Sequence, residues 1–271
     1  MSRKRHAGSD AAEPGLSVRT LALTYPSGFH QPPHSHDWPQ LVYAASGVLT
    51  VTTAAGAWVV PPQRAVWVPA DTRHQLDTTG ETALRTLYLH PRVAPALAAG
   101  CAVVHITPLV RELVLHIVAA GPLEFDRPEH THLLAVLIDQ LKTLDQAPLS
   151  VPLPRDPRAR RVAERVLARA SQADTLDELA AGSGASARTL ERLFRAETGL
   201  PFGRWRQQAR LLGALRLLGE GLAVTAVAAR VGYRSPSAFV AMFTRALGRS
   251  PGRYFDAPVV RSPARSHHTR A

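Results

Sequence analysis

The chain changes its hydrophobic period once, and that change constrains the fold more than any other feature. Between Ser17 and Ile106 apolar residues come in short runs broken by Gly, Pro and Asp, whereas from Arg158 to Tyr254 they recur at helical spacing. An alternating run buries one face of a sheet and a 3.6-residue period buries one stripe of a helix, so neither can replace the other. The runs Val18–Tyr25, Leu41–Ala45, Val48–Thr53, Ala57–Val60, Ala65–Val68, Thr82–His90 and Ala102–Ile106 predict an antiparallel sandwich or barrel. Amphipathic helices are expected next, over Leu109–Ala119 and Glu129–Leu144, the second with Leu133, Leu134, Leu137, Ile138 and Leu141 in a stripe. The sheet can bury that stripe, and so can a second copy in a homodimer; the pattern serves both.

Pro148, Pro152, Pro154 and Pro157 crowd the stretch between the two patterns, which disfavours helix and predicts an extended linker over 147–157. The expected organisation is an α+β two-domain chain. A flexible arm spans 1–16, an antiparallel β-rich domain with flanking helices 17–146, an all-α domain 158–255 and a disordered tail 256–271. No apolar run reaches the roughly 18 residues that cross a bilayer, and Met1–His6 leads into polar residues, so a cytoplasmic protein with no membrane partner is expected. The single Cys101 lies beside Ala102, Val103 and Val104 and predicts a buried thiol rather than redox chemistry.

The net charge of +11 belongs to one end of the chain. Met1–Pro154 carries 11 basic against 12 acidic residues, while Arg155–Ala271 carries 21 basic residues, all arginine, against 9 acidic. Arginine's planar fork of donors suits phosphate oxygens and guanine edges, so such a segment has the footprint of a nucleic-acid partner.

Thr175-Leu-Asp-Glu178 has the form of a capping box opening a short helix, which ends in Gly182-Ser183-Gly184. A second helix starts at Ser186, with Leu190, Leu193 and Phe194 on one face and Arg188, Thr189, Arg192 and Arg195 off it. This is the grammar of a helix-turn-helix, whose second helix enters the major groove. It recurs with Val224, Val227 and Ala228, a turn at Gly232, and a helix from Ser235-Pro236 carrying Phe239, Met242 and Phe243. Between them a helix from Pro201 to about Leu218 carries Trp205, Leu211, Leu212, Leu215 and Leu218 with Arg204, Arg206, Arg210 and Arg216. At 1.5 Å per residue it spans roughly 27 Å, near the ~34 Å repeat of the duplex.

The segments Arg188-Thr-Leu-Glu-Arg-Leu-Phe-Arg195, Gly199-Leu-Pro-Phe202, Val231-Gly-Tyr-Arg-Ser-Pro-Ser-Ala-Phe-Val-Ala-Met-Phe243 and Gly248-Arg-Ser-Pro251…Tyr254 resemble the DNA-binding domain of the AraC/XylS family. That resemblance covers Asp174–Phe255 and implies a transcription regulator that reads promoter or operator DNA, with RNA polymerase as a further partner. It assigns DNA contacts to Ser186, Arg188, Thr189, Arg192 and Arg195 in the first unit, and to Arg234, Ser235, Ser237 and Val240 in the second. Pro236, Ala238 and Ala241 leave the second helix poor in long polar side chains, so the first unit is expected to dominate specificity. Arg210 is expected to contact phosphate without regard to sequence.

In the β-rich domain, Gly28-x5-His34-x-His36-x3-Gln40-x6-Gly47 and Pro69-x-Asp71-x2-His74 resemble the paired motifs of cupin barrels. On a strand His34 and His36 share a face, and His74 can join them from another strand. Gln40 stands where metal-binding cupins carry a glutamate. Three readings stay open for His34, His36, Gln40 and His74: a divalent metal assisting ligand binding, a metal-free pocket for a small-molecule effector, or a structural role. Tyr43, Trp67 and Tyr88 can floor the pocket, although aromatics in strands are more often plain core. The leading expectation is a ligand-responsive DNA-binding regulator rather than an enzyme, because no catalytic triad, phosphate loop or paired carboxylates stand out. The alternatives are a metal-dependent cupin enzyme fused to a DNA-binding domain, and a DNA-binding protein without an effector.

Overall fold

The computed structural model describes residues 15–94, 100–147, 149–168 and 174–255. Most of the expected arm, the tail from 256 and Pro148 lie outside the described residues. Strands β1 (Leu16–Tyr25), β2 (His30–His34), β3 (Gln40–Thr52), β4 (Gly56–Val60), β5 (Arg64–Val68), β6 (His74–Leu89) and β7 (Ala102–His105) come first. Helix α1 (Pro108–Ala120), strand β8 (Leu123–Glu124), helix α2 (Pro128–Lys142) and strands β9 (Gln146–Ala147) and β10 (Ser150–Pro152) follow. The rest is helical: α3 (Pro157–Ala168), α4 (Leu176–Ala180), α5 (Ala187–Thr198), α6 (Phe202–Gly219), α7 (Val224–Arg230), α8 (Pro236–Leu247) and α9 (Pro251–Tyr254).

The strands form one antiparallel sheet in the order β8-β1-β6-β3-β5-β7-β9, with β2 also on β6, β4 on β3 and β10 on β4. The path stays open at its ends, giving a barrel-like rather than a closed sheet. Two expected strands, Leu41–Ala45 and Val48–Thr53, are one continuous β3 whose register against β6 shifts between Ala44 and Val48. Gly47 takes that bend at φ 73°, and a Cβ there would lie 2.4 Å from Thr82 Oγ1, so only glycine fits.

Each face of the sheet has its own cover. Leu134, Leu137 and Leu141 of α2 join Val110, Val114 and Ile117 of α1 in a core with Leu41, Trp67 and Leu87, so the sheet buries the leucine stripe. Each such leucine contributes roughly 1.5–3 kcal/mol of transfer free energy. The second core runs unbroken from Val42, Leu49 and Val66 of the sheet to Phe194, Trp205 and Phe243 of the helices.

The expected linker is partly structural. Ser150–Pro152 pairs antiparallel with Gly56–Trp58, at an edge where proline is tolerated. From the other side, Trp205 Nε1 donates to the Pro152 carbonyl at 2.7 Å and Gln208 Nε2 to the Ser150 carbonyl at 2.6 Å. Thus β10 is gripped between the sheet and α6. This placement also explains why α6 buries residues all round, among them Phe202, Trp205, Ala209, Leu212 and Leu215, instead of showing one apolar stripe. Cys101 is half-buried, and burial pushes its thiol up to about 11.

Candidate functional site

Short-range chemistry sets the first helix-turn-helix. Thr175 Oγ1 accepts the Glu178 N–H at 3.2 Å and Glu178 Oε2 accepts the Thr175 N–H at 2.6 Å, closing the capping box that starts α4. Gly182 and Gly184 turn the chain at φ 78° and 79°. Ser186 Oγ then accepts the Thr189 N–H at 3.2 Å and starts α5. Leu190, Leu193 and Phe194 are buried, and the Phe194 ring meets Trp205 of α6 edge-on at 4.9 Å. With that face fixed inward, Arg188, Arg192 and Arg195 stand exposed and Thr189 half-buried beside the Ser186 cap. The second unit repeats the plan. Gly232 turns at φ 78°, Ser235 Oγ accepts the Ala238 N–H at 3.4 Å, and Phe239 and Phe243 are buried. Arg234 and Ser237 are exposed there, Ser235 and Val240 half-buried.

The arginines divide into tied and untied ones. Arg158 pairs with Asp156 at 2.9 Å, Arg160 with Glu164 at 3.0 Å and Arg165 with Asp174 at 2.9 Å. Arg161 donates to the Ser183 carbonyl and Arg206 to the Asp174 carbonyl, each at 2.6 Å, bracing the first unit against α3 and α6. Arg188, Arg192, Arg195 and Arg234 have no hydrogen bond or ion pair to any described residue. Arg210 differs from expectation. It is half-buried with its guanidinium 5.9 Å above the Tyr233 ring, and burial lowers its pKa, so it braces the turn of the second unit from inside. Arg216 also turns inward, toward Asp77 of β6, and burial lowers its pKa while Asp77 and Glu220 raise it.

The fold brings the three expected histidines together. Ring centroids lie 4.4 Å apart for His34 and His74, 5.0 Å for His36 and His74, and 6.3 Å for His34 and His36. A backbone carbonyl fixes each Nδ1: Pro32 at 3.0 Å for His34, Trp38 at 2.6 Å for His36 and Thr72 at 2.7 Å for His74. Burial lowers the His36 pKa and takes His74 to about 4, so both rings are neutral. A neutral His36 that donates from Nδ1 accepts at Nε2. The Gln40 carboxamide 2.8 Å away therefore has to present its NH2. His34 Nε2 faces the Gln31 amide at 3.3 Å, and His74 Nε2 is buried without a partner among the described residues. No group of three or more His, Cys, Asp or Glu side chains among the described residues is arranged to hold a metal ion. With an amide in the fourth position and two imidazole nitrogens committed, this donor set does not fit a resident metal. Of the expected pocket floor, Tyr88 meets His36 edge-on at 5.1 Å. Tyr43 and Trp67 face the other way, into the α1 and α2 core.

A barrel-like sheet domain docked on paired helix-turn-helix units defines a two-domain, DNA-binding class of protein. Residues 16–153 match the family described as AraC-like ligand binding domain, and residues 179–257 the family described as helix-turn-helix domain. The chain belongs to the AraC family of transcription regulators, with a ligand-binding domain ahead of its DNA-binding domain. It is 36% identical over 232 residues to the HTH-type transcriptional regulator NimR of Escherichia coli, covering 86% of this chain and 85% of that one. It is 35% identical over 103 residues to the regulator RipA of Corynebacterium glutamicum, covering 38% of this chain and 31% of that one. Among solved structures it is similar to ToxT of Vibrio cholerae, at 11% identity and a TM-score of 0.39 over 89% of this chain and 97% of that one. It is also similar to the DNA-binding domain of AdpA in complex with a target DNA, at 38% identity and a TM-score of 0.35 over 37% of this chain and 91% of that one. No helix among the described residues is long and apolar enough to cross a membrane.

Proposed function

We propose that α5 and α8 enter neighbouring major grooves of one promoter duplex in the cytoplasm, where the protein meets RNA polymerase. Arg188, Thr189 and Arg192 read base edges, and Arg195 and the Ser186 hydroxyl touch phosphate. Arg234, Ser235, Ser237 and Val240 make the weaker contacts of the second unit. The observation that carries this reading is the division of the arginines: those of α3 and much of α6 are tied to partners within the chain, while Arg188, Arg192 and Arg195 stand outward with every donor unspent. Guanidiniums already paired within the chain brace it, and exposed unpaired ones bind anions.

The chain acts as a regulator and not as an enzyme. Gln40 supports this over a metal-dependent cupin enzyme, because its amide fills the place an anionic ligand would need and is already bonded to His36. His34, His36, Gln40 and His74 form a polar group, with His36 and His74 neutral, that we assign to contact with an uncharged part of a ligand, on the strength of the unpartnered His74 Nε2.

The test is binding of the purified full chain, at moderate salt, to promoter fragments selected from genomic DNA and to scrambled duplexes of equal composition. Selected fragments are expected to bind about 10³-fold or more tightly than scrambled ones. Equal affinity for both would refute the reading.

A further inference from the structure

The last turn of α5 carries a carboxylate that does nothing for its own helix. Glu197 is exposed and stands two residues before the Gly199 cap, where the negative end of the helix dipole disfavours an acidic side chain. Its Oε2 accepts the Arg155 N–H at 2.6 Å and the Asp156 N–H at 2.9 Å, from residues 42 and 41 positions away in sequence. Those two N–H groups stand just ahead of α3. Asp156 closes the first turn of that helix, its carbonyl accepting the Arg160 N–H at 2.8 Å and its Oδ1 the Arg158 N–H at 2.9 Å. Successive N–H groups at the positive end of a helix cradle an anion, and here the anion comes from the reading helix.

What Glu197 holds is stiff and is fastened to the sheet. Leu153 and Pro154, next to Arg155, are buried, and proline fixes its own φ. The Leu153 N–H donates to the Ala55 carbonyl at 2.9 Å, and Arg160 of α3 reaches the neighbouring Ala54 carbonyl at 3.0 Å. At Gly56 a Cβ would lie 2.6 Å from the Val151 carbonyl oxygen, so the turn between β3 and β4 bears directly on β10. From that turn through Leu153 to Arg155 the route runs along backbone. Glu197 is the side chain that carries it into α5.

The apolar face of α5 leaves something for these bonds to set. Leu190, Leu193 and Phe194 keep the helix in the core, but the hydrophobic effect is non-directional. Two hydrogen bonds at one end resist rotation about the helix axis, and so fix the heading of Arg188, Arg192 and Arg195. Heading matters more for base edges than for phosphates, because sequence is read by bidentate contacts of defined geometry.

We propose that Glu197 is a positioning residue for DNA reading: it locks the heading of α5 to the interdomain linker, so that the turn of the sheet domain at Ala54–Gly56 sets where Arg188 and Arg192 meet the bases. The proposal rests on the base-reading role of α5 put forward above and deepens it, since Glu197 acts through those arginines and not on DNA itself.

The test measures the affinity of the full chain for a selected operator and for scrambled duplex, at a temperature where chemical denaturation shows each variant folded. By charge alone, Glu197→Ala removes a negative group from the DNA-binding domain and should tighten binding to all DNA. By positioning, it is expected to lose about tenfold on operator while scrambled duplex binds at least as well as to the wild type. The two effects have opposite signs on operator. Glu197→Gln keeps an oxygen for both N–H groups and is expected to hold operator affinity within about threefold of the wild type. Gly56→Ala changes no charge and is expected to lose operator affinity as Glu197→Ala does. Combining the two should cost no more than the larger single loss, because both interrupt one route. If Gly56→Ala does not fold, Arg160→Gln takes its place, read as the ratio of operator to scrambled affinity. A ratio untouched by Glu197→Ala, a Glu197→Gln as impaired as Glu197→Ala, or losses that add in the double variant would each overturn the proposal. A wild type without preference for operator would sink the DNA reading itself, a result distinct from all three.

Discussion

Helices α5 and α8 start at a serine cap, end at a glycine with φ 74° (Gly199 and Gly248) and bury a phenylalanine at matching places, yet their outward faces share almost nothing. On α5 the exposed positions hold Arg188, Arg192, Arg195, Ala196 and Glu197; on α8 they hold Pro236, Ser237, Ala238, Ala241, Thr244 and Arg245, so α8 has a single exposed arginine, in its last turn. Scaffold and reading chemistry are thus separable. The inward residues fix where a helix sits, and the outward residues decide what it can recognise once there. On the proposed reading α5 supplies hydrogen bonds to base edges, while α8 supplies close packing, methyl contacts and sensitivity to groove shape.

If the scaffolds are equivalent, removing their anchors should cost alike. Phe194→Ala and Phe243→Ala each delete a ring that is 0% exposed, and each is expected to destabilise the chain by about 3–5 kcal/mol in chemical denaturation. A full loss at one position with none at the other would show that one unit is held by something besides its own core.

The outward faces should separate where the anchors do not. Arg188→Ala is expected to cost about 1–3 kcal/mol on a selected operator and to relax preference at one base pair. Arg195→Ala should weaken every sequence alike and reduce the salt dependence by about one counterion. Ser237→Ala on α8 should stay within about 0.5 kcal/mol. Quantitative binding to operator and scrambled DNA over a salt series measures all three. An Arg188→Ala loss of equal size on both DNAs would move that residue from base reading to phosphate contact.

The parts legible in the sequence were those set by near neighbours. The Thr175–Glu178 box, the turns at Gly182 and Gly232 and the serine caps depend on residues within a few positions, so their spacing carries the signal. Tyr43 and Trp67 could be pocket floor or plain core in the sequence, and are core, because β3 and β5 are covered on both faces. With Leu41, Val42, Tyr43 and Ala44 all buried, alternation no longer tells which side a residue takes. Arg210 read as phosphate-facing because charge is usually exposed, yet its long stem lets the guanidinium cross apolar ground, as that of Arg216 also does. The grip of Glu197 on the Arg155 and Asp156 N–H groups had no sequence signature, since it exists only through the docking of α5 on the linker.

The smallest expected effect bears on whether the serine caps hold the helices or also touch DNA. Ser186 Oγ bonds the Thr189 N–H at 3.2 Å and lies 3.0 Å from Thr189 Oγ1, whereas the Ser235 bond to Ala238 is longer at 3.4 Å. Ser186→Ala should therefore cost about 1 kcal/mol of stability and Ser235→Ala about 0.5. Aspartate caps a helix as well as serine but brings a negative charge to the end that would face phosphate. Ser186→Asp is expected to keep the melting temperature of the wild type while losing affinity for all DNA, most strongly at low salt. If Ser186→Asp binds DNA as the wild type does, the start of α5 lies away from the phosphate backbone, and Ser186 serves the helix alone.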